Sequence, residues 1–125
     1  MTKEQTEILR EYLGICSRLW RWIGKNATAN EFIEDTKHRW QEWECNGGTV
    51  KNMHHDCPCC EFDSVVGSGD CSRCPIEWTG GMCIGVSGES EYDGACDAIT
   101  QRSKRMWANR IARLAEEALA RLEAQ

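Results

Sequence analysis

Two cysteine pairs in the middle of the chain carry the clearest chemistry in the sequence. Cys57 and Cys60 form one Cys-x-x-Cys unit, Cys71 and Cys74 form the next, and ten residues separate the two units. Four thiolates with this spacing can close a tetrahedron around one Zn²⁺, because each pair holds one side of the ion while the spacer turns the chain back. A four-cysteine site leaves no open coordination position. The sequence therefore predicts one structural zinc ion.

Other side chains near the two pairs compete for the metal. Cys83 follows the second pair and can replace one of its cysteines, while His54 and His55 precede the first pair. Cys59 lies inside the first pair, next to a ligand. Three ligand sets stay open: the four paired cysteines, a set that includes Cys83, and a set that includes a histidine.

Catalysis is the less favoured interpretation of the same residues. The pair formed by His55 and Asp56 would need an open metal position, which four thiolates do not leave. Zinc deaminases carry His-x-Glu before Pro-Cys-x-x-Cys, whereas here no His-x-Glu occurs and Pro58 and Pro75 each follow a cysteine. We therefore expect that the chain is not an enzyme.

Cysteine usage and the first residues indicate a reducing compartment. The chain has nine cysteines, an odd number, and begins with the polar run Met-Thr-Lys-Glu-Gln-Thr-Glu, so we expect no signal peptide. Metal binding is then favoured over a disulfide framework. No apolar run approaches the ~20 residues that span a bilayer. We expect a cytoplasmic protein without a membrane partner.

Charge is unevenly distributed along the chain. Residues 1–44 carry a net charge of −1, residues 45–97 carry −7 and residues 98–125 carry +3. The acidic cysteine-rich segment would repel a polyanion. This disfavours a zinc finger that binds nucleic acid.

Two helices are predicted before the cysteines. Apolar residues recur at helical spacing from Lys3 to about Ile23, with Cys16 inside the apolar face as a small buried hydrophobe. The run from Thr28 to Glu31 has the pattern of a capping box, which would start a second helix ending near Glu44. The predicted apolar side of that helix comprises Phe32, Ile33, Thr36, Trp40 and Trp43.

A last helix is predicted from about Asp93 or Asp97 to Glu123. Its apolar face comprises Ile99, Trp107, Ile111, Leu114, Ala118 and Leu122. Between the helical parts, residues 45–96 hold nine of the eleven glycines and eight of the nine cysteines. Such a segment cannot build a core alone, and a metal can supply its folding energy. Short strands are predicted around Phe62–Val66 and Met82–Val86.

These elements predict one domain over residues 1–125. It consists of two helices in 1–44, a cysteine-rich zinc segment in 45–97 and a C-terminal helix in 98–125. The expected fold class is mainly α with a small irregular zinc-knuckle insert and minor β structure. The N-terminal and C-terminal helices are expected to pack antiparallel.

Two groups of residues are candidates for contact with a partner. Trp78 follows the second cysteine pair in a glycine-rich stretch, where an indole either covers the zinc site or meets a partner. Arg102, Arg105 and Arg110 belong to a basic stretch of the last helix. We expect Arg102, Arg105 and Arg113 to spread around that helix, so a solvated face is the favoured interpretation.

The order of these motifs resembles that of small bacteriophage proteins without an assigned activity. The matching elements are Trp40-Gln-Glu-Trp43, Asn46-Gly-Gly48, Cys57-x-x-Cys60, Cys71-x-x-Cys74-Pro75, Gly81-x-Cys83 and Tyr92. These proteins carry a Cys-x-x-Cys, Cys-x-x-Cys-Pro and Cys core between helices. The resemblance covers roughly residues 37–110, and Cys59 departs from it. It implies a zinc-bound phage protein in the cytoplasm of a bacterial host.

The leading functional hypothesis is a zinc-stabilised interaction protein that binds and modulates a host factor, such as a defence component. An acidic surface suits this role, because it can imitate nucleic acid toward a basic host protein. One alternative is a nucleic-acid-associated accessory protein that uses the basic C-terminal helix. Another is a protein that sequesters a small ligand or nucleotide between its Trp-rich helices, at the interface of a homo-oligomer.

Removal of a predicted ligand should release the metal. We expect Cys57→Ser and Cys74→Ser each to lose zinc and to unfold the middle segment, as measured by metal content and thermal melting. Cys16→Ala is the matched control, because it should retain zinc and cost only packing, about 1–2 kcal/mol. Unchanged metal content and melting in either serine variant would contradict the ligand assignment.

Overall fold

The computed structural model describes residues 2–40, 76–79 and 90–124. Within these ranges the chain forms four helices: α1 (Lys3–Asn26), α2 (Ile33–Arg39), α3 (Glu91–Asp97) and α4 (Gln101–Glu123). The prediction of a mainly helical chain is confirmed in this part. Trp43 and the two predicted strands lie outside the described residues.

The first helix begins as its sequence requires and runs further than predicted. Thr2 and Gln5 form a reciprocal capping box, with the Gln5 N–H donating to Thr2 Oγ1 over 3.0 Å. The helix continues to Asn26, so Gly24 does not stop it. Gly24 is buried, and a Cβ there would lie 2.7 Å from Oδ1 of Asn109. The glycine instead permits a close approach between α1 and α4.

The predicted antiparallel packing of the first and last helices is confirmed. Side chains of α1 contact α4 in reverse order: Arg10 pairs with Glu123, and Ser17 Oγ donates to Glu116 over 2.9 Å. Small residues on α4 let the two backbones come close. The buried residues of this interface include Leu13, Leu19, Trp20 and Ile23 on α1, and Ala108, Ile111, Ala112 and Ala115 on α4. Cys16 is fully buried, as predicted.

The start of the second helix differs from the prediction. The α2 helix begins at Ile33 with Phe32 as its N-cap, and Phe32 makes no side-chain capping bond. The predicted capping box is therefore wrong. The carboxylate of Glu31 instead accepts hydrogen bonds from residues further along the chain, from Thr36 Oγ1 at 2.7 Å and from Arg39 Nη2 at 2.9 Å.

The buried face of α2 also differs in part from the prediction. Ile33, Thr36 and Trp40 are buried as expected, whereas Phe32 is 74% exposed. The helix ends at Arg39, and residues 41–44 lie outside the described part.

The predicted C-terminal helix is divided into two. The α3 helix ends at Asp97, and α4 starts after Thr100, whose hydroxyl accepts from the Ser103 N–H over 3.1 Å. Ile99 lies in the connection and is 81% exposed, so its placement in the apolar face was wrong. The remaining predicted positions pack as expected. Ile111, Ala118 and Leu122 are buried, and Trp107 and Leu114 are partly buried against the core. None of the helices in the described ranges is long and apolar enough to span a bilayer.

The contact between α1 and α4 should make stability depend on acid pH. The guanidinium of Arg21 donates to both carboxylate oxygens of Glu116, at 2.7 and 3.0 Å, and these bonds lower the pKa of Glu116. A carboxyl group with a lowered pKa in the folded state stabilises the fold above its unfolded pKa, about 4.3. That contribution is lost as pH falls through the folded pKa.

We therefore expect the free energy of unfolding of Glu116→Gln to fall less than that of the wild type between about pH 5 and pH 3. The measurement is urea denaturation across this range. Glu117→Gln is the control, since it removes an exposed carboxylate from the next position of the same helix. An identical pH slope in the wild type and Glu116→Gln would show that the pair contributes nothing.

Candidate functional site: the anchor of the cysteine-rich segment

The predicted metal ligands fall outside the part of the chain that the structure describes. This holds for Cys57, Cys60, Cys71, Cys74 and the alternate ligand Cys83, and also for His54, His55 and Cys59. Within residues 2–40, 76–79 and 90–124, no group of three or more His, Cys, Asp or Glu side chains is arranged to hold a metal ion. The zinc site remains a prediction. The structure does describe the residues to which the cysteine-rich segment is attached.

The helices α2 and α3, which precede and follow the predicted metal ligands in the sequence, contact each other. Lys37 on α2 donates from Nζ to Oη of Tyr92 on α3 over 2.8 Å, and Nζ lies 4.6 Å from the centre of the Tyr92 ring. The ammonium group is buried but has an oxygen acceptor and an aromatic face as partners. Trp40 and Ser90, the described residues at the ends of α2 and α3, therefore belong to neighbouring elements.

Residues 76–79, just after the second cysteine pair, pack onto the helices. Ile76 and Trp78 are both buried in the core. The Trp78 ring meets Tyr92 edge-on at a centroid distance of 6.4 Å, and Tyr92 meets Trp20 of α1 edge-on at 6.0 Å. Edge-to-face contacts at these distances are favourable. Tyr92 therefore links α1 to the segment that carries the predicted zinc ligands.

A buried carboxylate adds a polar anchor beside the aromatic one. Glu91 accepts from the Thr79 backbone N–H at 2.9 Å and from the Thr79 hydroxyl at 2.8 Å. Burial raises the pKa of Glu91, but the hydrogen bonds from Thr79, the backbone N–H of Glu91 itself and the charge of Arg110 together outweigh it, and the pKa is lowered. The carboxylate also lies in the first turn of α3, where the helix dipole favours negative charge. We call Trp20, Trp78, Thr79, Glu91 and Tyr92 the anchor cluster.

A glycine fixes the distance between α3 and α4 next to this cluster. A Cβ on Gly94 would lie 2.5 Å from a ring atom of Trp107. Any side chain there would push α3 away from α4, because the Trp107 ring cannot move aside as a flexible chain end would. The close packing of α3 therefore depends on Gly94.

The residues predicted to contact a partner differ in their exposure to solvent. Trp78 is buried, and its Nε1–H has no hydrogen-bond partner among the described residues. Arg102, Arg105 and Arg110 are exposed on α4. Whether any of them contacts a partner stays a prediction.

The exposed arginines Arg102, Arg105, Arg110 and Arg113 lie on one side of α4. At about 100° per residue, positions 102, 105, 106, 109, 110 and 113 fall within an arc of about 140°. Met106, Asn109, Arg110 and Arg113 line one shallow cavity of about 320 Å³. The expectation that Arg102, Arg105 and Arg113 spread around the helix was therefore wrong. Arg110 also stacks on Trp107, with its guanidinium carbon 5.5 Å from the ring centre.

Comparison with known proteins finds no matching family model, no similar curated sequence and no similar solved structure. The function is therefore argued from the residues and their geometry.

Trp78 allows a direct test of the anchor cluster. Trp78→Phe keeps an aromatic ring against Tyr92 and removes a buried N–H without a partner, so we expect the free energy of unfolding to change by less than about 1 kcal/mol. Trp78→Ala removes the ring contact and should cost about 3–5 kcal/mol. Chemical denaturation measures both variants. Equal losses in Trp78→Phe and Trp78→Ala would show that the indole N–H, and not the ring, holds the segment.

Proposed function

We propose that this chain is a zinc-stabilised interaction protein of bacteriophage type that binds and modulates a host factor. One structural zinc ion would be held by Cys57, Cys60, Cys71 and Cys74, or by a set that includes Cys83. The sequence pattern supports this part of the proposal. The zinc would supply folding energy to a segment that has few apolar residues of its own.

The observation that carries the proposal is the anchor cluster. The helices bury their own core, and they bind the chain just after the second cysteine pair through Trp78 and Thr79. A segment held at a fixed place on a rigid support is suited to recognition, because less conformational freedom is lost when a partner binds. Binding sites commonly lie on such segments.

The tryptophans support a binding protein over a ligand-sequestering one. Trp20, Trp40 and Trp78 are buried in the core and line none of the three cavities formed by described residues. The cavities described for residues 2–40, 76–79 and 90–124 are no larger than about 320 Å³ and are open to solvent. A volume of about 320 Å³ is at the lower limit for sites that enclose a drug-sized ligand, about 300–1,000 Å³.

The charge distribution indicates the kind of host factor. Residues 45–97 carry a net charge of −7, and zinc-bound thiolates would add negative charge. Such a segment attracts a basic protein surface and repels nucleic acid. A basic host protein is therefore the proposed partner.

An affinity pull-down from bacterial lysate tests the function. We expect the tagged, zinc-loaded protein to retain one host protein in stoichiometric amount, and Cys74→Ser to lose it. Cys16→Ala is the matched control and should retain the partner, because it changes a buried cysteine of α1. Recovery of nucleic acid that washes off with salt, of a bound nucleotide, or of no specific protein would contradict the proposal.

A further inference from the structure

Two large apolar side chains, one just before α2 and one between α3 and α4, are exposed and line the same cavity. Phe32 is 74% exposed and Ile99 is 81% exposed. Both line one cavity of about 160 Å³, together with the half-buried Cys96. A second cavity of about 270 Å³ lies along Phe32, Ile33, Glu34 and Cys96. We call this surface the Phe32–Ile99 groove.

Local helix stability does not account for Phe32. It occupies the N-cap position of α2 without a side-chain capping bond. Ser, Thr, Asp and Asn are much better N-caps, because their side chains accept a hydrogen bond from the first turn. Phe32 therefore contributes neither a cap nor buried apolar area.

Local helix stability does not account for Ile99 either. It precedes the N-cap Thr100, a position from which an apolar side chain can pack against the fourth residue of the helix. Here that residue is Lys104, whose Nζ is directed to the loop carbonyls of Thr28 at 2.9 Å and Glu31 at 2.7 Å. Ile99 thus finds no apolar partner in its own helix.

The groove has an acidic rim. Glu34 and Asp97 line its two cavities, and neither forms an ion pair within the described part of the chain. Burial is the main cause that raises the pKa of the Cys96 thiol; the hydrogen bond with Tyr92 and the charge of Lys37 lower it, and the charges of Glu34 and Asp97 raise it. The two carboxylates therefore contribute negative charge at the edge of the groove.

Among the described residues, the nearby ammonium groups form no ion pair with these two carboxylates. The ammonium of Lys104 is buried and bound to backbone carbonyls, and that of Lys37 is bound to Tyr92. An apolar centre with unpaired charges at its edge is the usual composition of a protein-binding surface.

We propose that the Phe32–Ile99 groove is the docking surface for a cationic amphipathic segment of the partner protein. Apolar side chains of that segment would cover Phe32 and Ile99, and its Lys or Arg side chains would face Glu34 and Asp97. This inference rests on the proposed function, because it adds a second surface that would contact the same host protein, in addition to the acidic segment that carries the predicted zinc ligands. The charge at the rim selects a basic partner and disfavours nucleic acid.

A defined peptide tests the groove without knowledge of the host protein. The probe is a fluorescent helical peptide of about four turns, built from Leu and Lys, and its affinity is measured by fluorescence anisotropy. We expect saturable binding to the wild type, and at least a tenfold loss of affinity, about 1.4 kcal/mol, in the double variant Phe32→Ser/Ile99→Ser. Glu34→Lys/Asp97→Lys should also weaken binding, and a peptide with Glu in place of Lys should not bind.

Two controls separate binding from folding. Met106→Ser removes another exposed apolar side chain, 46% exposed and in a different cavity, and should leave affinity unchanged. Phe32→Ser introduces a favourable N-cap, so its free energy of unfolding should stay the same or increase. Loss of affinity without loss of stability would identify a binding role for Phe32.

Other outcomes would overturn the inference. These are no binding of the peptide by the wild type, equal binding by Phe32→Ser/Ile99→Ser, or a wild-type dimer in sedimentation that this variant dissociates, since a second copy would then cover the groove. Lysate capture distinguishes the two proposals. Equal capture of a host protein by the wild type and the double variant would overturn the groove alone. Peptide binding without any captured host protein would overturn the proposed function alone.

Discussion

The close antiparallel contact between α1 and α4 is the constraint on which the rest of the structure depends. Ala108, Ala112 and Ala115 present a small surface to the large side chains of α1, and Gly24 lets Asn109 approach the α1 backbone. Tight packing of this kind gains many dispersion contacts and excludes water. The pairs Arg21–Glu116 and Arg10–Glu123 run along its edge and set the register more than the stability, since exposed ion pairs contribute little.

Tyr92 connects this helix pair to residues 76–79. Its ring lies between Trp20 of α1 and Trp78, its hydroxyl accepts from Lys37 of α2, and the neighbouring Glu91 holds Thr79. The aromatic contacts bury apolar area, while the charge-assisted hydrogen bonds fix the orientation of the groups that they join. The helices therefore hold residues 76–79, which follow the second cysteine pair in the sequence.

The sequence was sufficient where local pattern decides the structure. Helical spacing predicted the buried faces of α1 and α4 and the burial of Cys16, since a face is a property of the helix itself. It failed where distant groups compete: Glu31 bonds to Thr36 and Arg39 instead of capping, and Ile99 lies outside the core because Thr100 starts a new helix. The anchor cluster joins residues far apart in sequence, so periodicity could not reveal it. The zinc ligands are predicted by spacing alone.

Amide hydrogen exchange before and after removal of the metal by a chelator tests the central claim most directly. The account predicts that amides in the interiors of α1 and α4 keep their protection, because these helices stabilise each other through their own core. The amide of Thr79, which donates to Glu91, should exchange faster once the adjoining segment loses its metal. Loss of protection throughout α1 and α4 on chelation would contradict the account, since the helices would then depend on the metal. Unchanged exchange at Thr79 would contradict the coupling between the anchor cluster and the predicted zinc site.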